Sequence, residues 1–144
     1  MKKFRHAGIV VRDIDKSLHF YKDLLRLRVR KDLDESGDYL DKILKLKGVK
    51  VRTIKLAPER GEGLIELLFF GSRGGGSRKI KADSIGLTHV AFEVEDLDKE
   101  YLRLKKNGVR FNAPPQYSPD GYAKVTFCKD PDGVLIELVE ILKK

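Results

Sequence analysis

The chain repeats itself, and a repeat of this length constrains the fold more than any other feature. Near the start stands His6-Ala-Gly-Ile-Val-Val-Arg-Asp13-Ile14-Asp15-Lys16, and later His89-Val-Ala-Phe-Glu-Val-Glu-Asp96-Leu97-Asp98-Lys99. In both copies a histidine opens an apolar run, and seven residues on comes Asp, an aliphatic residue, Asp, Lys. The distal parts match too: Leu64-Ile65-Glu66-Leu67 recurs letter for letter as Leu135-Ile136-Glu137-Leu138. Residues 1–144 therefore read as one domain built from module one at about 4–70, a Gly-rich linker over 71–85, and module two at about 86–142. The glycines at 71–76 do not stand between a strand and a helix N-terminus, so they read as linker and not as a phosphate loop.

Each module shows the same order of elements. A strand over 5–11 or 87–94 leads to a helix that opens on a capping aspartate, Asp13 or Asp15 in one copy and Asp96 or Asp98 in the other. The helices are predicted over 15–25 and 98–107. Leu18, Tyr21 and Leu25 space one apolar side of the first, and Tyr101, Leu102 and Leu104 mark the second; Gly108 ends the second. Three strands follow in each, near 27–34, 49–56 and 64–70, then near 109–112, 122–129 and 134–142. Module one adds a short helix over 39–46, and module two a loop over 112–116. The order β-α-β-β-β, twice, predicts an α+β fold. Its two tandem modules form a cup-shaped, barrel-like mixed sheet with flanking helices and a concave ligand surface.

Four residues sit oddly in these apolar strands. By alternation His6, Gly8 and Val10 share a face, as do His89, Ala91 and Glu93. Glu66 lies within Leu-Ile-Glu-Leu-Leu-Phe-Phe and Glu137 within Val-Leu-Ile-Glu-Leu-Val. A carboxylate there loses hydration worth several kcal/mol unless a cation compensates, and neither segment contains Lys or Arg. Singly, each has an ordinary explanation: an exposed histidine, a hydrogen-bonded core histidine, a glutamate turned to water. Jointly, they are the only His and Glu that recur at matched positions. Two imidazoles and two carboxylates suit one divalent Zn, Ni, Co, Mn or Fe ion. His19 has no counterpart in module two and reads as surface or helix–sheet packing. Leu68, Phe70, Glu93 and Val139 line either the cavity or the core.

The remaining composition bounds the setting. No apolar run nears the roughly 20 residues of a membrane span, and Met-Lys-Lys-Phe-Arg-His is no secretory leader. A single cysteine, Cys128, makes no internal disulfide and reads as core packing; a cytoplasmic location is expected. The formal charge of +8 is scattered and no nucleic-acid motif accompanies it, so specific nucleic-acid binding is not expected.

These segments resemble the vicinal-oxygen-chelate superfamily, which includes glyoxalase I, methylmalonyl-CoA epimerase, extradiol dioxygenases and bleomycin-resistance proteins. The resemblance is carried by Phe4-Arg5-His6-Ala7-Gly8-Ile9-Val10-Val11, Ser17-Leu18-His19-Phe20-Tyr21, Leu64-Ile65-Glu66-Leu67, Thr88-His89-Val90-Ala91-Phe92 and the run Asp130-Pro131-Asp132-Gly133-Val134-Leu135-Ile136-Glu137-Leu138. It implies a cup around one metal, with His6, Glu66, His89 and Glu137 at the four ligand positions of glyoxalase I. It implies a lyase or isomerase that stabilises an enediolate or enolate and moves a proton, with Glu137 as the base and Glu66 the second choice. A small, anionic substrate and a homodimer follow from the same resemblance. Val10 and Phe70 replace the arginine and asparagine that help hold glutathione in the glutathione-dependent type. Thr88-His89 stands where the epimerase has a His-His pair, and Phe127 where dioxygenases have a tyrosine. Bleomycin-resistance-type binders typically lack the four ligands. The ranking is therefore a glyoxalase I-like lyase first, then an epimerase-like enzyme, then a dioxygenase-like enzyme or a non-catalytic binder.

Overall fold

The computed structural model describes residues 1–73, 75–76 and 79–142. Positions 74, 77 and 78 of the expected linker lie outside the described residues. Backbone contacts divide the chain into two compact units, Met1–Gly76 and Ser77–Lys144.

Unit 1 runs β1 (Ala7–Val10), α1 (Ile14–Leu18), a π-helical turn (His19–Leu24), β2 (Arg28–Ser36), α2 (Asp38–Leu44), β3 (Lys50–Ala57) and β4 (Ile65–Phe69). Its sheet has the order β1-β4-β3-β2. β1 and β4 are parallel; β4, β3 and β2 are antiparallel neighbours. Leu67, Ile54 and Leu56 are fully buried. Leu40, Val49 and Val51 form a further cluster against which the partly buried Leu68 and Phe70 pack. β2 is charged and almost wholly exposed at the sheet edge, the composition that keeps an edge strand from pairing with strangers.

Unit 2 repeats the plan with β5 (His89–Glu93), α3 (Leu97–Lys106), β6 (Arg110–Phe111), β7 (Gln116–Tyr117), β8 (Ala123–Lys129) and β9 (Leu135–Ile141). The sheet order is β5-β9-β8-β6, with β7 pairing β8, and β5 runs parallel to β9. The fold class is thus α+β, with two mixed sheets and few helices. The expected barrel-like closure is not present. Each sheet is open, ending on one side at β1 or β5 and on the other at β2 or β6.

Two local expectations are corrected. Asp13 caps the first helix by accepting from the Asp15 and Lys16 amides, but the α-helical part ends at Leu18 and a π turn follows. The Leu25 amide there bonds the Phe20 carbonyl at 2.8 Å. The buried residues are Ile14, Ser17, Phe20, Tyr21 and Leu24, so of the predicted Leu18–Tyr21–Leu25 stripe Tyr21 is buried while Leu18 and Leu25 are only partly so. In α3 the buried residues are Leu97 and Leu104, and Leu102 is 64% exposed. Asp96 caps this helix through the Lys99 amide. Gly108, at φ +83°, supplies the left-handed residue after its C-cap.

The Asp130–Gly133 turn leads into β9. The Asp130 carboxylate, 1% exposed, accepts from the Asp132 and Val134 amides at 2.9 and 2.8 Å. It thereby fixes the point at which β9 begins, and with it the position of Glu137. Cys128, on β8, is fully buried, and burial pushes its thiol up to about 12. It is core, as expected, and no nucleophile.

Candidate metal centre

Each unit builds one imidazole–carboxylate pair from the same two elements. In unit 1, β4 presents Glu66, and His6 stands one residue before β1, a strand that starts at Ala7 and not at 5. His6 Nε2 lies 3.1 Å from Glu66 Oε2. In unit 2, His89 opens β5, and its Nε2 lies 3.1 Å from Oε2 of Glu137 on β9. The side chains of Glu66 and Glu137 are 14% and 21% exposed, those of His6 and His89 38% and 41%. Parallel pairing of the first and last strands of the unit is what brings residues some sixty or fifty positions apart in the chain together.

The register leaves room over both carboxylates. Glu66 is directly opposite Gly8 on β1, and Glu137 directly opposite Ala91 on β5. A large residue at either place would project from the same face and fill the space beside the carboxylate. Imidazole nitrogen and carboxylate oxygen are the donor types that first-row divalent ions accept, so the chemistry of the residues fits a metal. Among the described residues no group of three or more His, Cys, Asp or Glu side chains converges on a point; what each unit offers is a pair of donors.

The pairs differ in their neighbours: sequence reasoning missed Lys55, and it marked Thr88 and Phe127 only through the family resemblance. Lys55 of β3 lies directly opposite Glu66, and its Nζ is 3.4 Å from Glu66 Oε1. The cation absent from the strand of Glu66 is thus supplied by the strand beside it. Glu137 instead faces Phe127 of β8, whose ring packs edge to face on His89 at 5.3 Å between centroids. Thr88 Oγ1 is 3.0 Å from His89 Nδ1. A partner at Nδ1 fixes the orientation of a histidine that uses Nε2 as a donor to a metal. His6 has no such partner among the described residues. Only the strand registers reveal that Lys55 and Phe127 face the two glutamates; Thr88 adjoins His89 in the chain. His19 bonds Asp23 on the exposed side of the π turn at 3.2 Å and belongs to neither pair.

Comparison with known proteins agrees with this architecture. Residues 3–138 match the family model of the Glyoxalase/Bleomycin resistance protein/Dioxygenase superfamily. A protein of Synechocystis described as a probable lactoylglutathione lyase is 28% identical over 140 residues, covering 96% of this chain and 95% of its own. YwkD of Bacillus subtilis, a protein of uncharacterised function, is 30% identical over 143 residues, with 97% and 98% covered. The crystal structure of a glyoxalase family protein from Bacillus cereus superposes with a TM-score of 0.87 at 23% identity, covering 99% of this chain and 96% of that one; it speaks to the fold alone.

Proposed function

Because the chain belongs to the glyoxalase/bleomycin resistance protein/dioxygenase superfamily, we propose that it is a metal-dependent lyase or isomerase of the glyoxalase I kind. His6, Glu66, His89 and Glu137 would together hold one divalent ion. The observation that carries the reading is the recurrence, in each unit, of a half-buried carboxylate 3.1 Å from an imidazole nitrogen and opposite a residue with little or no side chain. A structural ion pair needs no such duplication and no such space.

When bound, the ion would act as a Lewis acid on two adjacent substrate oxygens, easing loss of a proton from the neighbouring carbon. The chain's own residues do the rest. Glu137 takes that proton and returns it to the adjacent carbon. Its neighbour across the ladder is a phenyl ring, so no lysine ties it down, whereas Glu66 is held from one side by His6 and from the other by Lys55. Thr88 keeps the His89 ring in place, and the Phe127 ring packs edge to face against it. The substrate class is a small anionic molecule with vicinal oxygens (an oxoacid, thioester or hemithioacetal), favoured by the basic surface. The homodimer and the cytoplasmic setting belong to the same proposal, the latter supported by a lone cysteine that is buried and unpaired.

The test is a screen of the metal-loaded protein with methylglyoxal plus several thiols, methylmalonyl-CoA and catechols, with Glu137→Gln beside the wild type. Proton transfer on one of the first two classes is expected. Glu137→Gln should lower kcat by about a hundredfold or more while keeping most of the metal. Full activity in that variant refutes Glu137 as the base, and turnover of catechols alone refutes the reaction class.

A further inference from the structure

Unit 2 carries a cavity that the metal-site reading does not use. Its volume is about 610 Å³ and it runs along β6, bordered by Tyr101 and Lys105 of α3, Arg110 and Phe111 of β6, Pro114, and Lys129 of β8. β6 is the edge of the sheet opposite β5, the strand that bears His89. Because β6 is an edge strand of only two residues, side chains from both of its faces reach the same space. The volume falls within the roughly 300–1,000 Å³ of small-molecule sites.

The charge in this cavity is unbalanced. Three of its lining residues are cations and none is a carboxylate. Arg110 and Lys129 are direct partners across the β6–β8 ladder, which places their side chains side by side on one face, an arrangement that destabilises like charges. Where Lys31 and Lys55 likewise face each other across β2 and β3, Glu66 lies 3.4 Å from Lys55, and other cations of the chain meet carboxylates. Arg52 is opposite Asp34 and bonds Asp32 at 2.8 Å; Lys124 bonds Asp98 at 2.7 Å; Arg103 bonds Glu100 at 2.6 Å. Lys105 donates to the Tyr101 hydroxyl at 3.2 Å and forms no ion pair among the described residues. Beside the cations stands an apolar wall: the Tyr101 and Phe111 rings pack edge to face, 4.8 Å between centroids.

We propose that this cavity binds a phosphate monoester. Two adjacent cations match a dianion, where a single carboxylate would leave one of them unbalanced. The guanidinium fork of Arg110 suits two phosphate oxygens, and Lys129 and Lys105 serve as point charges. The organic part of the ligand lies against Phe111, Tyr101 and Pro114. The site is independent of the metal-site reading and stands or falls without it.

The experiment is titration of the isotope-labelled full chain with AMP, adenosine and inorganic phosphate, followed by backbone amide shifts. AMP is expected to shift amides at 109–113 and 129, and to bind at least about tenfold more tightly than adenosine or phosphate alone. Arg110→Gln/Lys129→Gln should weaken AMP at least about tenfold, which is about 1.4 kcal/mol. Lys42→Gln/Lys50→Gln, which removes the same charge from exposed positions of unit 1, should leave the Kd within about twofold. Equal losses in the two double variants would mean general attraction to a basic chain and would overturn the proposal. So would shifts confined to other residues, or phosphate binding as tightly as AMP. The wild-type shift map locates the site even if the Arg110→Gln/Lys129→Gln variant does not fold.

Discussion

Replacing Asp130 by alanine tests whether the Asp-Pro-Asp-Gly turn is a structural brace for the strand that carries Glu137. The carboxylate is 1% exposed and accepts two amide hydrogen bonds, at 2.9 and 2.8 Å. Hydrogen bonds to a charged group contribute about 1.5–3 kcal/mol each. The Asp132 and Val134 amides belong to partly exposed residues, so water can recover some of the loss and the lower end applies. Asp130→Ala should therefore cost about 3 kcal/mol. In a chain of this size that is a fall of roughly 10 °C in Tm. Asp130→Asn keeps an oxygen in the same place and should lose about 1 kcal/mol or less relative to the wild type. Urea unfolding followed by far-UV circular dichroism measures both. If alanine costs under about 1 kcal/mol, or asparagine costs as much as alanine, the two bonds do not brace the turn and the reasoning fails.

Further outcomes follow from the same geometry. His89→Ala should sharply weaken binding of an added divalent ion in a fluorescent-chelator competition; unchanged affinity removes His89 from the site. Lys55→Gln should tighten it, because a cation 3.4 Å from Glu66 Oε1 opposes a second cation there; a weaker ion in this variant would show that Lys55 acts chiefly by holding Glu66 in position. Cys128 should resist a thiol reagent at pH 8 until the protein is unfolded, and rapid labelling of the folded chain would contradict its burial. Its thiol is raised from 9.0 to about 12 by burial, with the charge of Asp130 adding to the effect. The neutral thiol is the form that folding favours, so this contribution is complete below pH 9 and is lost as pH climbs toward 12. Cys128→Ala should flatten that alkaline decline in an unfolding series, and an unaltered slope would count against it.

Much of this was legible in the residues because a duplicated pattern supplies its own control. His6 with Glu66 and His89 with Glu137 could be matched by position alone, and the structure brings together the members of each pair. Asp13 and Asp96 announced helix starts by their chemistry. What could not be read depends on register or on helical phase. Lys55 meets Glu66 only because the turn between β3 and β4 sets those two residues opposite each other, and nothing near position 55 marks that pairing. The buried side of the first helix runs through Ile14, Ser17, Tyr21 and Leu24, and leucines at the neighbouring positions 18 and 25 let a second apolar side be drawn through the same segment. β7 is two residues long, too short to show alternation. The open sheets show that matched modules do not by themselves imply a closed barrel.

The account depends on the two imidazole–carboxylate pairs serving one ion. The most direct measurement is metal content by mass spectrometry after stripping, reloading with Ni²⁺ or Zn²⁺ and desalting, on the wild type and on His6→Ala, Glu66→Ala, His89→Ala and Glu137→Ala. If one ion takes donors from both units, as proposed, the wild type holds about one ion per chain and every variant loses it. A wild type that retains no ion, or substitutions in one unit that leave the content untouched while those in the other abolish it, would contradict the claim.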